Sequence, residues 1–252
     1  MSVTVSGAAS DAAIIQDNVS RVRAEIAAAC RRVGRNPDEV TLIGVTKSVD
    51  RPLADALIAA GVHDIAENRV QDAVEKFGRR SSFPPLPADV RLHMIGNLQT
   101  NKARDIVGLC PTIHSLNRTA IADALQRAAA RQQIICEVLL EVNAAQDEAK
   151  QGADLSDVVY FQGYVINSCA NLHLLGLMTI APHVANPEDA RPAFRALRAL
   201  RDMLTKEYPA QPLPMLSMGM SNDFPIAIEE GATHVRIGRA LFVGLTSPTG
   251  KP

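Results

Sequence analysis

The chain has 252 residues, of which 47% are hydrophobic and 21% charged, with a formal net charge of -1. That length suits one large domain with a sizeable core, and the near-zero charge leaves neither a basic footprint for nucleic acid nor a general attraction to anionic membrane. No basic-then-apolar leader opens the chain and no apolar run reaches membrane-spanning length; with four scattered cysteines (Cys30, Cys110, Cys136, Cys169) and no C-x-x-C pair, the expectation is a cytoplasmic protein with reduced packing thiols and no metal or redox centre.

The small, polar residues 1–10 predict a disordered N-terminus. Over residues 11–32, Ile15, Val19, Val22, Ile26 and Ala29 recur at spacings of three and four, which predicts an extra N-terminal helix packed on the body of the domain. Gly34-Arg-Asn-Pro37 breaks it. Thr41-Leu-Ile-Gly-Val-Thr-Lys47 reads as a buried strand that ends in a lysine, followed by a helix over 51–60 closed by Gly61. Residues 62–66 form a second strand candidate, with a helix over 67–77 and an irregular loop over 81–87. A third strand over 90–95 leads through 96–102 into a helix, and a fourth over 112–115 precedes a helix that Asn117 can cap and that runs to 131. A fifth strand spans 134–142, followed by a polar loop over 143–152 and a helix over 155–169. The sixth strand is 172–178. A long helix begins at Pro187, with Phe194, Leu197, Leu200 and Leu204 on one stripe. After a linker over 208–214 come a seventh strand at 215–217, a helix over 224–230, an eighth strand over 231–237 and a last helix opening near Gly238.

Eight strand–helix alternations predict a single-domain (β/α)8 barrel over 11–252, with an open doubly wound sheet as the alternative. In a barrel, polar residues at the carboxyl ends of the strands share one mouth; here they are Lys47, Asn68, His93, Asn97, Ser115, Asn143, Met178, Ser217 and Arg236. Each also has a plain structural reading. Asn68 and Asn117 can cap helices, His93 and His114 can be satisfied core histidines, Met178 can fill the core, and Lys47 can snorkel to solvent. The functional reading of Lys47 is that desolvation at a buried strand end favours its neutral amine, which attacks an aldehyde to give a Schiff base. Arg236 cannot shed its charge, so inside a strand it must face an anion, a polar ring or water. The loops after strands seven and eight, Leu216-Ser-Met-Gly-Met-Ser221 and Ile237-Gly-Arg-Ala240, stand where barrels bind phosphate. Ser217 offers a hydroxyl there, and Gly219 and Gly238 allow close backbone approach. No exposed apolar stripe calls for an oligomer, so a monomer is expected.

Several motifs carry a resemblance: Val45-Thr-Lys47, Glu67-Asn68 with Val70-Gln71, His93-Met-Ile-Gly-Asn-Leu-Gln-Thr-Asn-Lys102, Gly176-Leu-Met178, Leu216-Ser-Met-Gly-Met-Ser-Asn-Asp-Phe224 and Val235-Arg-Ile-Gly238. In this order they resemble the pyridoxal phosphate homeostasis protein family (YggS/PROSC type), whose fold is that of the barrel domain of alanine racemase. The resemblance implies that Lys47 is the Schiff-base lysine for pyridoxal 5′-phosphate (PLP). Asn68 would lie near the ring, and Met178 against it, with Val45, His93, Ile95, Asn97 and Ser115 in the pocket wall. Ser217, Met218, Gly219, Gly238 and the Arg239 backbone would hold the phosphate, and Arg236 would face the pyridine nitrogen. The chain departs from the family pattern at Ile65-Ala66, where Phe-Gly is usual, at Asn97 for a proline, and at Arg239 for a small hydroxyl residue.

The implied function is intracellular PLP (vitamin B6) homeostasis without catalysis, the cofactor being held for apo PLP-dependent enzymes. The alternative is a low-activity PLP-dependent amino-acid racemase. Racemases of this type add a β-rich domain with a tyrosine base, whereas Tyr160, Tyr164 and Tyr208 fall in predicted helices or a linker here.

Overall fold

Short, largely apolar runs, all but the last followed by an α-helix, place the strands between two covered faces, as a parallel sheet requires. In the computed structural model, which describes residues 4–145, 152–182 and 184–245, these runs are β1 (Thr41–Val45), β2 (Asp64–Glu67), β3 (Arg91–Met94), β4 (Thr112–Leu116), β5 (Cys136–Glu141), β6 (Leu172–Met178), β7 (Met215–Ser217) and β8 (His234–Ile237). They pair in chain order, all parallel, and β8 returns to β1 through Leu42 opposite Val235 and Gly44 opposite Ile237, so the sheet closes. The helices are α1 (Thr4–Arg32), α2 (Arg51–Ala59), α3 (Val70–Phe77), α4 (Ala103–Ile106), α5 (Thr119–Gln132), α6 (Val158–Ser168), α7 (Arg191–Glu207) and α8 (Phe224–Glu229).

Local chemistry sets the element ends. The Asp50 carboxylate accepts the Leu53 N–H at 3.1 Å and Pro52 pre-sets the first turn, so α2 starts right behind Lys47. On α7, Phe194, Leu197, Leu200 and Leu204 are buried as one stripe.

The helix α1 completes the outer layer. Its buried residues Ile15, Val19, Val22, Ile26 and Ala29 pack toward α2 and α8, across the β8–β1 seam. Among the described residues after β8 the chain makes one 3-10 turn, Arg239–Leu241, where a last helix was expected to open. Asn18 of α1 donates to the carbonyls of Leu241 and Val243 at 3.1 and 2.9 Å, so the N-terminal helix takes over the cover that a helix after β8 gives in other barrels.

The structure moves several expected boundaries. The helix α1 begins at Thr4, inside the stretch expected to be disordered, where the sequence placed its start at Asp11; residues 1–3 lie outside the described residues, as do 146–151 of the predicted polar loop and 246–252. Glu67 closes β2 and does not open a helix. Asn117 caps nothing: α5 starts at Thr119, and the Asn117 amide donates instead to Glu141. Residues 134–135 precede β5, because Gln133 turns the chain through the left-handed region (φ 56°) and leaves Ile135 exposed.

Candidate functional site

The carboxyl ends of the strands open onto a cavity of about 520 Å3. Val45 and Lys47 enter it from β1, Asn68 from behind β2 and Ile95 from behind β3. Arg236, Gly238 and Arg239 enter it from β8 and the turn after it. Seven of the fourteen residues that the resemblance assigns to the site thus share one wall. Gly96 holds this side together: a Cβ there would fall 1.9 Å from the Asn68 carbonyl oxygen, so only glycine lets the β3 loop lie against Asn68. Lys47 is exposed in the cavity, two residues past the end of β1, against the expectation of a desolvated amine. Its reach into the cavity, and not burial, is what recommends it.

The rest of the lining comes from loops the sequence did not single out. Ile180, Ala181, Pro182, Val184 and Pro187 follow β6 and give one side an apolar face. Met220, Ser221, Asn222 and Asp223 follow β7; their signal was present, since they lie inside the 216–224 motif. Asp223 shapes that loop by accepting the Met220 N–H at 2.6 Å. Gly219 has φ +93°, and a Cβ there would sit 2.7 Å from the Ala227 Cβ, so the turn between β7 and α8 demands glycine. Its carbonyl accepts the Arg236 N–H at 3.0 Å, which ties this turn to β8.

Arg236 is 4% exposed. Its Nη1 donates to Ser217 Oγ and its Nη2 to the Thr179 carbonyl, both at 2.8 Å. Burial pushes its pKa down to about 10, so it keeps its charge at neutral pH. Ser217 is fully buried, with its hydroxyl between Arg236 and His114 Nδ1 (2.9 Å), and it does not open to the cavity as a phosphate donor. His114 Nε2 meets His93 Nδ1 at 3.0 Å, and His93 Nε2 meets Asp64 at 2.9 Å. His93 is therefore in the barrel interior, behind the pocket wall. Burial, with His93 and Arg236 adding to it, holds the His114 pKa well below the usual imidazole value. Burial alone would raise Asp64, but the His93 hydrogen bond holds it below its ordinary value.

Four further residues expected in the pocket stand behind or beside it. Met178 is buried against Leu139 and Met215, Met218 is buried in the main core, and the Ser115 hydroxyl donates to the Gly96 carbonyl at 2.6 Å. Asn97 opens onto a neighbouring polar groove that it shares with Asn68, Arg69 and Lys102. Beside Lys47 lies an assembly the sequence did not suggest. Glu67, fully buried, accepts Thr46 Oγ1 at 2.7 Å and Lys76 Nζ at 2.8 Å, and Lys76 also donates to the Thr46 carbonyl. The residue before Lys47 is thus pinned by side chain and backbone. Burial raises the Glu67 pKa even against Lys76 and Thr46.

The pattern of the alanine racemase N-terminal domain family matches residues 15–246. The pyridoxal phosphate homeostasis protein of Aquifex aeolicus is 42% identical over 226 residues, which cover 90% of this chain and 96% of that protein. The solved structure of PipY from Synechococcus elongatus with PLP bound superposes with a TM-score of 0.77 at 31% identity, covering 90% of this chain and 99% of that one. Alanine racemase from Corynebacterium glutamicum superposes at a TM-score of 0.68 and 14% identity, over 96% of this chain and 64% of that one, a likeness of fold alone.

Proposed function

Because this chain belongs to the pyridoxal phosphate homeostasis protein family, we propose that it binds PLP at the barrel mouth for intracellular PLP homeostasis, with Lys47 as the Schiff-base amine. The observation that carries this reading is that Lys47 shares one cavity with Arg236 and with the small-residue turns that follow β7 and β8. The residues suit the cofactor's parts. An amine is exposed to an incoming aldehyde, the apolar face after β6 can take a ring, and the first turn after Gly238 presents backbone N–H groups without intrahelical partners to an anion. The cationic Arg239 side chain, held near Asn222 at 3.4 Å, adds charge where the family carries a small hydroxyl. PLP, when bound, supplies an electron sink for amine chemistry. An arginine, and not a carboxylate, at the cavity wall disfavours a second positive charge on a nearby ring, which suits holding the cofactor more than using it.

The protein is non-catalytic on this reading. Proton transfer on both faces of a substrate needs two bases within hydrogen-bond reach. Among the described residues no tyrosine lines the cavity: Tyr160 is exposed on α6, and Tyr164 donates to Asp123. Its setting is the cytoplasm, as a monomer that passes PLP to apo-enzymes. The buried free thiols accord with this, and no helix among the described residues is long and apolar enough to cross a membrane.

The test is an absorbance scan of freshly purified protein, then borohydride reduction and peptide mapping. A visible band that borohydride fixes onto Lys47 is the expected result, and a colourless protein that takes up no added PLP overturns the reading. Incubation with L-alanine and resolution of the enantiomers addresses the non-catalytic role; fast turnover would make the protein a racemase.

A further inference from the structure

Barrel interiors are filled by branched apolar side chains, yet five polar ones run through this one from β2 to β8. We propose that His93 and His114 are positioning residues: a neutral imidazole pair that engages the Ser217 proton, so that the Ser217 oxygen faces Arg236 as a fixed acceptor and locks the guanidinium in the cavity wall. This rests on the proposed PLP site, of which Arg236 forms part.

The donors assign themselves from one end. A guanidinium only donates, so Arg236 donates to Ser217 Oγ. The Asp64 carboxylate at the other end only accepts, so His93 donates from Nε2, and in the neutral pair proposed its Nδ1 is bare. His114 then donates from Nε2 to His93, and its bare Nδ1 accepts the Ser217 hydroxyl. Every donor meets an acceptor with both rings neutral. The opposite tautomers would turn a lone pair of His93 toward the Asp64 carboxylate. Without His114 the Ser217 hydroxyl would be free to rotate, and Arg236 would keep only the Thr179 carbonyl as a fixed partner. The other titratable or charged groups that bear on the chain are Arg91 at the start of β3, His234 on β8, whose Nδ1 lies 2.8 Å from Thr233 Oγ1, and, at the Arg236 end, Asp223 and Glu141. Burial pushes His234 down to about 4, so both it and His114 are neutral near pH 7.

Two measurements test this. Nitrogen-15 NMR of the imidazoles in cofactor-free protein reads the tautomers directly. Protons on Nε2 of both His93 and His114 are expected, and an Nδ1-protonated His114 overturns the proposal. In the PLP-loaded protein, His114→Phe is expected to speed cofactor loss about tenfold, the worth of one hydrogen bond to a charged group, and to shift the visible band and its pH profile. His114→Asn, whose amide oxygen can still accept from Ser217, is expected to restore most of both. A folded His114→Phe protein with unchanged band and retention overturns the proposal. If that variant fails to fold, His114→Asn decides: its band should stay near the parent's, and a band as displaced as that of Ser217→Ala counts against the assignment. A parent protein that takes up no PLP overturns the functional reading, while the tautomers still judge the hydrogen-bond chain.

Discussion

The two halves of the barrel mouth carry the same kinds of residue at the same places and do different things with them. Around β1, β2, β3 and β8, Lys47, Asn68 and Arg239 stand exposed on the cavity. Around β4 and β5, Ser115 is spent on the Gly96 carbonyl and Asn117 on Glu141 at 3.0 Å, with Glu141 only 5% exposed. A polar residue at the end of a barrel strand is thus no sign of a ligand by itself. What separates the halves is whether the polar atoms have already been satisfied within the chain.

The sharpest way to break this contrast is on the open half. Lys47→Ala should abolish borohydride labelling and weaken PLP retention on the order of a hundredfold, leaving phosphate-driven binding. Gel filtration after loading, read by absorbance, would show it, and equal retention in variant and parent would remove Lys47 from the site. Arg236→Ala should weaken binding less and alter the spectrum; an unchanged spectrum would place Arg236 outside the pocket.

The closed half should respond in stability and not in binding. Asn117→Ala takes away the one hydrogen bond that the Glu141 carboxyl makes among the described residues and leaves it buried without a partner, at a cost of about 2 kcal/mol. Urea unfolding measures this, while PLP retention should stay at the parent level. A loss of retention equal to that of Lys47→Ala would mean that both halves belong to one site.

Much of this was legible in the chain and some of it was not. The strands were readable because each is a short apolar run between breakers, and even the three-residue β7 is marked by its neighbours. Lys47, Arg236 and Gly238 were readable because an unusual residue type stands at a strand end. The fate of Ser217 was not: its hydroxyl is taken by His114, 103 residues away, and no local pattern carries a pairing of that range. Glu67 read as a helix start because a carboxylate seldom ends a buried strand, and the partner that permits it, Lys76, lies on the next helix. The apolar loop after β6 carries no motif of its own, since only closure of the barrel turns Ile180 and Pro182 toward a cavity.

The smallest expected effect probes how the two halves are coupled. Burial raises the Glu141 pKa, opposed first by the Asn117 hydrogen bond and then by the Arg236 charge across the mouth. A carboxyl whose folded value lies above its unfolded one binds more protons when folded. Stability is therefore full below the ordinary glutamate range and is lost as pH rises through the raised value. Glu141→Gln keeps an oxygen for the Asn117 amide and removes the titration, so it should abolish that decline and be more stable than the parent at neutral pH by about 1 kcal/mol. Urea unfolding from pH 4 to 8 checks the sign. If the glutamine variant instead falls below the parent in stability as pH rises, attraction between Glu141 and Arg236 outweighs the cost of burying the carboxylate. The closed half would then be a counter-charge to the open one, and Glu141→Gln should also change PLP retention.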